Sequence, residues 1–259
     1  MSDELLYDVR DSIGVITFNR PQQRNALTFA MYEGLAEICE TAAGKGDAKA
    51  LVIIGAGDKA FAAGTDIAQF RAFKTPQDAI DYEQKIDKVL SAVERCPLPT
   101  VAALAGACTG GGAGIAACCD IRIAARDLKF GFPIARTLGN CLSANNLARL
   151  SALIGAGRTR EVIFTSRLVG AEEALAAGLV TELLGDRAAV AARALDLAAL
   201  LAGQAPLTLQ ATKEALRRLA AAAAAVEDED LIVKCYTSDD FREGLEAFLG
   251  KRKPDWKGR

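Results

Sequence analysis

Residues 99–122 read PTVAALAGACTGGGAGIAACCDIR, and no charged side chain falls between positions 96 and 119. Within this stretch residues 101–104 form a continuous apolar run, Gly110-Gly111-Gly112 make a turn, and residues 113–118 suit a short apolar helix. A second apolar run, residues 121–125, follows at once. Short apolar runs without alternation, bounded by turn residues, are the pattern of strands covered on both faces, as in parallel sheets. Strand, crossover and strand in that order predict a right-handed unit of a parallel sheet. By length alone the 24 uncharged residues would also cross a bilayer. The glycine triplet argues instead for a backbone turn in a protein core, so no membrane partner is expected.

The same alternation extends in both directions. Toward the N-terminus, residues 5–9 and 13–18 are apolar-rich runs separated by Arg10-Asp11-Ser12, which predicts an antiparallel hairpin. Pro21 ends the second run, and Thr28 has the position of a helix N-cap ahead of Met31, Leu35, Ile38 and Cys39 on one helical face. Residues 50–54, ending at Gly55, read as another buried strand, and residues 76–95 carry Ile80, Ile86, Val89, Leu90 and Val93 at helical spacing. The class expected is α/β with a largely parallel sheet. From about Leu142 the pattern turns mostly helical, with one short strand near residues 179–183 after Ala177-Gly178. Gly203-Gln204-Ala205-Pro206 marks a boundary between a core, residues 1–203, and a helical region, residues 204–259. The Ala-rich run from Ala220 is a strong helix former, and residues 227–230 are an acidic solvated face or helix start. No strand-helix unit repeats closely enough in sequence to be an internal repeat.

Composition removes several chemistries. The 31 basic and 33 acidic groups leave a formal charge of −2, so no global field recruits nucleic acid or a membrane surface. There is no histidine, which excludes Ser-His-Asp, Cys-His and H-E-x-x-H arrangements, and no metal site is expected. Seven cysteines without C-x-x-C spacing fit a reduced, cytoplasmic setting, and the opening MSDELLYDVRD reads as neither signal peptide nor anchor.

Two glycine-bearing turns follow buried runs: Gly55-Ala56-Gly57 leading to FAAGTDI at 61–67, and Gly106 leading to the triplet and Gly114. Ligands of parallel sheets gather at the carboxyl ends of strands, so both turns could meet there. Each leads toward a helix start, whose free N–H groups suit an oxyanion or a phosphate. The plainer alternative is that these glycines only permit close packing. Residues 112–117, GAGIAA, formally match a dinucleotide fingerprint, but the helix is short, the unit is not the first, and no acidic residue follows at ribose distance. No G-K-[ST] follows either turn, which excludes a P-loop.

With these motifs in order, the chain resembles the crotonase superfamily, the enoyl-CoA hydratase/isomerase family, over nearly its whole length. The residues that carry the resemblance are ITFNRP at 16–21 with RNAL at 24–27, FAAGTDI at 61–67, the segment 99–119, CDIR at 119–122, KFGFP at 129–133, and Phe248 with KRKPDW at 251–256. The resemblance implies a crotonase-like fold of stacked ββα turns with a helical C-terminal region that mediates a homotrimer or a dimer of trimers. It implies an acyl-CoA thioester as partner, with CoA part of the substrate and no separate cofactor. By position, the oxyanion-hole amides would be those of Thr65 and Gly111. Arg24, Ala26, Ala63, Gly64, Asp66, Ile67 and Gly110 would border the CoA, and Lys251 could reach a phosphate.

The pattern departs from the family where acid and base are needed. The two hydratase glutamates would stand at Gly114 and at Ile134, directly after Pro133, and neither is a carboxylate. Gly114, Ile134, Arg136, Asn140 and Cys141 are candidates for the acyl pocket, and Arg136 and Asn140 suit a polar or anionic acyl group. Capping or loop hydrogen bonding is the competing role of Asn140, Cys141, Ser143 and Asn145. Asp66 has the place of an N-cap, Asp120 that of a structural strand-end carboxylate, and Cys118-Cys119 that of small core residues. Two functions stay open. One is an acyl-CoA enzyme acting as decarboxylase, isomerase or thioester hydrolase; the other is a non-catalytic acyl-CoA binder.

Overall fold

The computed structural model describes residues 3–223 and 227–258. In chain order the elements are β1 (Leu5–Arg10), β2 (Ile13–Phe18), α1 (Phe29–Lys45), β3 (Ala50–Gly55), β4 (Ala60–Ala62), α2 (Pro76–Arg95), β5 (Thr100–Leu104), β6 (Ala107–Thr109), α3 (Gly111–Cys118), β7 (Ile121–Ala125), β8 (Lys129–Gly131) and α4 (Ile134–Thr137). They continue with α5 (Ala144–Ile154), α6 (Ala156–Thr165), β9 (Val169–Gly170), α7 (Ala171–Ala176), β10 (Glu182–Leu184), α8 (Arg187–Ala202), α9 (Pro206–Ala223), α10 (Glu229–Tyr236) and α11 (Asp239–Leu249).

Two sheets result, one ordered β1-β2-β3-β5-β7-β10 and one ordered β4-β6-β8-β9. β1 and β2 pair antiparallel as the hairpin spacing predicts, whereas β2·β3, β3·β5, β5·β7 and β7·β10 are parallel. A long strand in the first sheet, a three-residue strand in the second and then a helix recur as β3-β4-α2, β5-β6-α3 and β7-β8-α4. The repeat is one of geometry, with no matching repeat of sequence.

Between the sheets and α1, α2 and α3 lies the main core, where Phe18, Tyr32, Phe61 and Phe130 are buried and the Phe18 and Phe61 rings meet edge to face at 5.4 Å. Burial of one such side chain contributes roughly 1.5–3 kcal/mol. The other face of the six-stranded sheet is covered by α8, through Val190, Ala194, Leu197 and Ala198. A third cluster, around Phe70, Tyr236, Phe241 and Leu245, packs α10 and α11 on the 3-10 turn Ile67–Ala72.

The strand expected at 179–183 instead occupies Glu182–Leu184. The N–H groups of Leu179 and Val180 both donate to the Ala174 carbonyl, so this segment closes α7 around the left-handed Gly178 before extended pairing begins. The Gly203–Pro206 break separates α8 from α9, two helices set at 107° to each other. The alanine run is helical through Ala223, and residues 224–226 lie outside the described residues. The acidic residues Glu229 and Asp230 form the first turn of α10, the favourable end of the helix dipole for negative charge. The uncharged stretch 96–119 folds as β5, β6 and α3; among the described residues no single helix is long and apolar enough to cross a membrane.

Candidate active site

β4 and β6 run parallel, with Ala60 opposite Ala107 and Ala62 opposite Cys108, so the two glycine turns leave the sheet side by side. They come into contact: a Cβ built on Gly110 would lie 3.3 Å from the Cα of Gly64. Gly64 has φ +104° and Gly110 φ +52°, conformations that glycine adopts at little cost. Thr65 then enters a parallel bridge with Leu27, in which Leu27 N donates to Gly64 O and Asp66 N to Leu27 O. That pattern turns the Thr65 N–H away from residue 27. Gly111 is the first residue of α3, where an N–H has no partner within the helix. Neither the Thr65 nor the Gly111 N–H finds an acceptor among the described residues.

Residues 24–27 brace the first turn from behind. Ala63 N donates to Arg24 O, and Asn25, fully buried, accepts from Arg20 N and donates to the carbonyls of Ala56 and Ala60. Arg20 donates to Ala26 O and forms an ion pair with Asp66 at 3.1 Å. Asp66 also accepts from Ala68 N, so it is the N-cap that its position suggested. Arg20 and Asn25 are structural pieces that the motif reading did not single out. Arg24 and Lys251 are exposed, both with positive φ, and the side chain of neither has a partner among the described residues. No bond described joins Lys251, just beyond α11, to the glycine turns.

Hydroxyl groups surround the same turns. Tyr32 of α1 meets the Thr65 hydroxyl at 2.9 Å, and Thr65 meets Tyr82 of α2 at 3.1 Å. Tyr32 is only 1% exposed and fills the space beside Gly111, where a Cβ would stand 1.7 Å from its oxygen. Burial pushes both phenols well above their ordinary range, so both stay protonated. The rings of Phe70, Phe73 and Phe29 pack around Tyr82 at 4.9, 5.7 and 6.0 Å.

Glu83, beside Tyr82 in sequence, is 6% exposed and lines a cavity of about 470 Å³ together with Asp87, Ser143, Asn145 and Asp228. Its Oε1 accepts from the Tyr236 hydroxyl at 2.5 Å, and Asn140 Nδ2 donates to that hydroxyl at 3.1 Å. Burial lifts the Glu83 carboxyl to about 7 against the pull of the Tyr236 hydrogen bond, with Asp228 and Asp87 adding to the rise.

The candidate acyl-pocket residues are not gathered into one wall. Gly114 faces Leu90 of α2, whose Cδ1 is 3.4 Å from a built Cβ. Ile134 is buried, Arg136 is exposed with no side-chain partner among the described residues, Asn140 bonds Tyr236, and Cys141 lies against the Leu231 carbonyl. Ser143 caps α5 and Asn145 donates to Asp87. Asp120 accepts from Thr100 N and Oγ1 and from Lys213, and the Cys118 and Cys119 thiols are buried, as their structural roles require.

The profile of the enoyl-CoA hydratase/isomerase family matches residues 8–259. The chain belongs to that family. This enoyl-CoA hydratase/isomerase member is 32% identical to the crotonyl-CoA hydratase of Syntrophomonas wolfei, over 98% of each chain. Among solved structures, it is similar to an enoyl-CoA hydratase/carnithine racemase from Magnetospirillum magneticum, with a TM-score of 0.80 and 34% identity over 100% of this chain and 97% of the other. It is also similar to a methylmalonyl-CoA decarboxylase in complex with 2-nitronate-propionyl-CoA, with a TM-score of 0.90 and 25% identity over 100% of both chains. The crotonase fold expected from the motifs is the fold observed, and an acyl-CoA-processing enzyme is the activity this family membership supports.

Proposed function

We propose that the protein binds an acyl-CoA thioester at the paired glycine turns and holds its enolate oxygen between the N–H groups of Thr65 and Gly111. The observation that carries this reading is the pair of unsatisfied amides brought together by the approach of Gly64 to Gly110. One preset donor of this kind is worth roughly 100- to 1000-fold in rate. Arg24, Ala26, Ala63, Gly64, Asp66, Ile67 and Gly110 border the CoA in this reading, and Lys251 reaches a phosphate. CoA enters as part of the substrate, and the enolate step requires no separate cofactor.

Decarboxylation of a 2-carboxyacyl-CoA is the reaction that best suits the site. Loss of carbon dioxide places its electron pair on the α-carbon and thioester oxygen without a base, and the two positions where hydratases carry glutamate are Gly114 against Leu90 and the buried Ile134. The likeness to a methylmalonyl-CoA decarboxylase supports the same choice. Arg136 and Asn140 are the groups proposed for the polar end of the acyl chain. Helix α9 leaves Leu207, Leu216 and Leu219 exposed, which supports assembly through the C-terminal helices as a homotrimer or dimer of trimers.

The test is binding and turnover together. The nitronate of 2-nitropropionyl-CoA mimics the enolate and is expected to bind at least about 100-fold more tightly than propionyl-CoA. Malonyl-CoA or methylmalonyl-CoA is expected to lose carbon dioxide. Equal affinity for the two ligands would refute enolate stabilisation. Hydration of crotonyl-CoA in place of decarboxylation would refute the reaction, and acyl-CoA binding without any turnover would leave a non-catalytic binder.

A further inference from the structure

The three hydroxyls around Thr65 hold three protons and make two hydrogen bonds. Among the described residues the Tyr32 hydroxyl has only Thr65 as partner, and it is buried, where a hydroxyl proton without an acceptor is costly. Tyr32 therefore donates to Thr65. The unused proton then emerges at the half-buried end of the chain, on Thr65 or on Tyr82. Of the two placements these contacts allow, the order Tyr32 to Thr65 to Tyr82 leaves the proton over on a phenol, a more acidic group than an aliphatic hydroxyl.

We infer that Tyr82 is the general acid that protonates the enolate carbon, with Thr65 and Tyr32 holding its hydroxyl in place. The inference rests on the enolate reading above. An oxygen held by the Thr65 amide sets the α-carbon roughly 2.4 Å away, given C=O and C–C bonds of about 1.2 and 1.5 Å. The reacting carbon thus lies close to the residue from which the hydroxyl chain is built. Neither Gly114 nor Ile134 can supply a proton.

The step balances without any added reagent. Carbon dioxide leaves, its bonding pair becomes the enolate, and that pair takes the Tyr82 proton to form the new C–H bond. The phenolate left behind accepts the Thr65 hydrogen bond, itself reinforced by Tyr32, until water returns a proton. The aromatic rings of Phe29, Phe70 and Phe73 fix the direction of the Tyr82 ring, so the proton arrives on one face of the enolate.

Methylmalonyl-CoA turned over in deuterium oxide tests this with the intact protein, Tyr82→Phe and Tyr32→Phe. The unaltered protein is expected to yield 2-deuteropropionyl-CoA of one configuration. Tyr82→Phe is expected to lose about 100-fold in kcat and give racemic product, while KM and the affinity for the nitronate stay within twofold. Tyr32→Phe, a positioning change, lowers kcat less and keeps one configuration. Unchanged kcat with a single configuration in Tyr82→Phe overturns the proposal while tight nitronate binding leaves the enolate reading standing. Absence of both decarboxylation and tight nitronate binding in the unaltered protein overturns the two together.

Discussion

Replacing Gly111 by alanine would set a methyl carbon 1.7 Å from the Tyr32 oxygen, 3.0 Å from its Cζ and 3.2 Å from the Thr65 hydroxyl. Because carbon and oxygen need well over 3 Å, Tyr32 would have to withdraw by roughly 1.5 Å from a position packed on all sides. Overpacking of this kind costs about 1–3 kcal/mol, and loss of the Tyr32–Thr65 hydrogen bond adds about 1 kcal/mol. Gly111→Ala is therefore expected to destabilise by roughly 2–4 kcal/mol, or about 4–16 °C in Tm for a chain of this size. Tyr32→Phe alone removes only the hydrogen bond and costs about 1 kcal/mol. In the double variant the nearest atom is Cζ, at 3.0 Å, and most of the clash is gone. A double-mutant cycle by urea unfolding should give a combined loss at least about 1 kcal/mol smaller than the sum of the single losses. Strict additivity would refute the claim that Tyr32 is what keeps position 111 a glycine.

Glu83 gives a pH signature. Its folded value of about 7 lies above the ordinary 4.5, so between those two pH values the folded protein keeps a proton that the unfolded chain has lost. Stability should fall across that window by up to roughly 3 kcal/mol, and Glu83→Gln should flatten the fall; the same pH dependence of urea midpoints in both proteins would exclude the assignment. Cys235, lowered to about 7 by the hydrogen bond from Cys141 and by Lys234, is half-buried and should be alkylated by iodoacetamide before the other six cysteines at pH 7.5. Peptide mapping that finds another cysteine modified first would contradict this. Asn25→Ala strips partners from the Arg20 amide and from two carbonyls in the buried brace behind Gly64, and should cost about 2–4 kcal/mol. A loss below about 0.5 kcal/mol in thermal unfolding would show that the brace is redundant.

The long elements were legible because their signals are local. Helix α2 starts at Pro76 behind the Thr75 capping box and ends at Arg95, and β7 covers residues 121–125, both at the bounds the apolar spacing marks. The caps Thr28, Asp66 and Ser143 likewise show in sequence because a cap acts on residues two or three positions away. The three-residue strands β4, β6 and β8 did not, since what makes them strands is their pairing partner rather than any pattern of their own. The hydroxyl chain is hidden for a similar reason: Tyr32 and Tyr82 come from two helices and meet only through Thr65. Glu83 left a readable trace. It occupies the same face of α2 as Ile86 and Leu90, a carboxylate on an otherwise apolar stripe.

The links at Asp120 give the far end of the glycine helix a mechanical role. Asp120 lies two residues beyond the end of α3, grips Thr100 at the start of β5, and is held by Lys213 from α9, the helix whose leucines face outward. α3 itself has only eight residues, a rod of about 12 Å with Gly111 at its opposite tip. A tilt of α9 would thereby be passed along this rod to the orientation of a single N–H. The seat of α9 and the aim of the Gly111 amide are two ends of one lever.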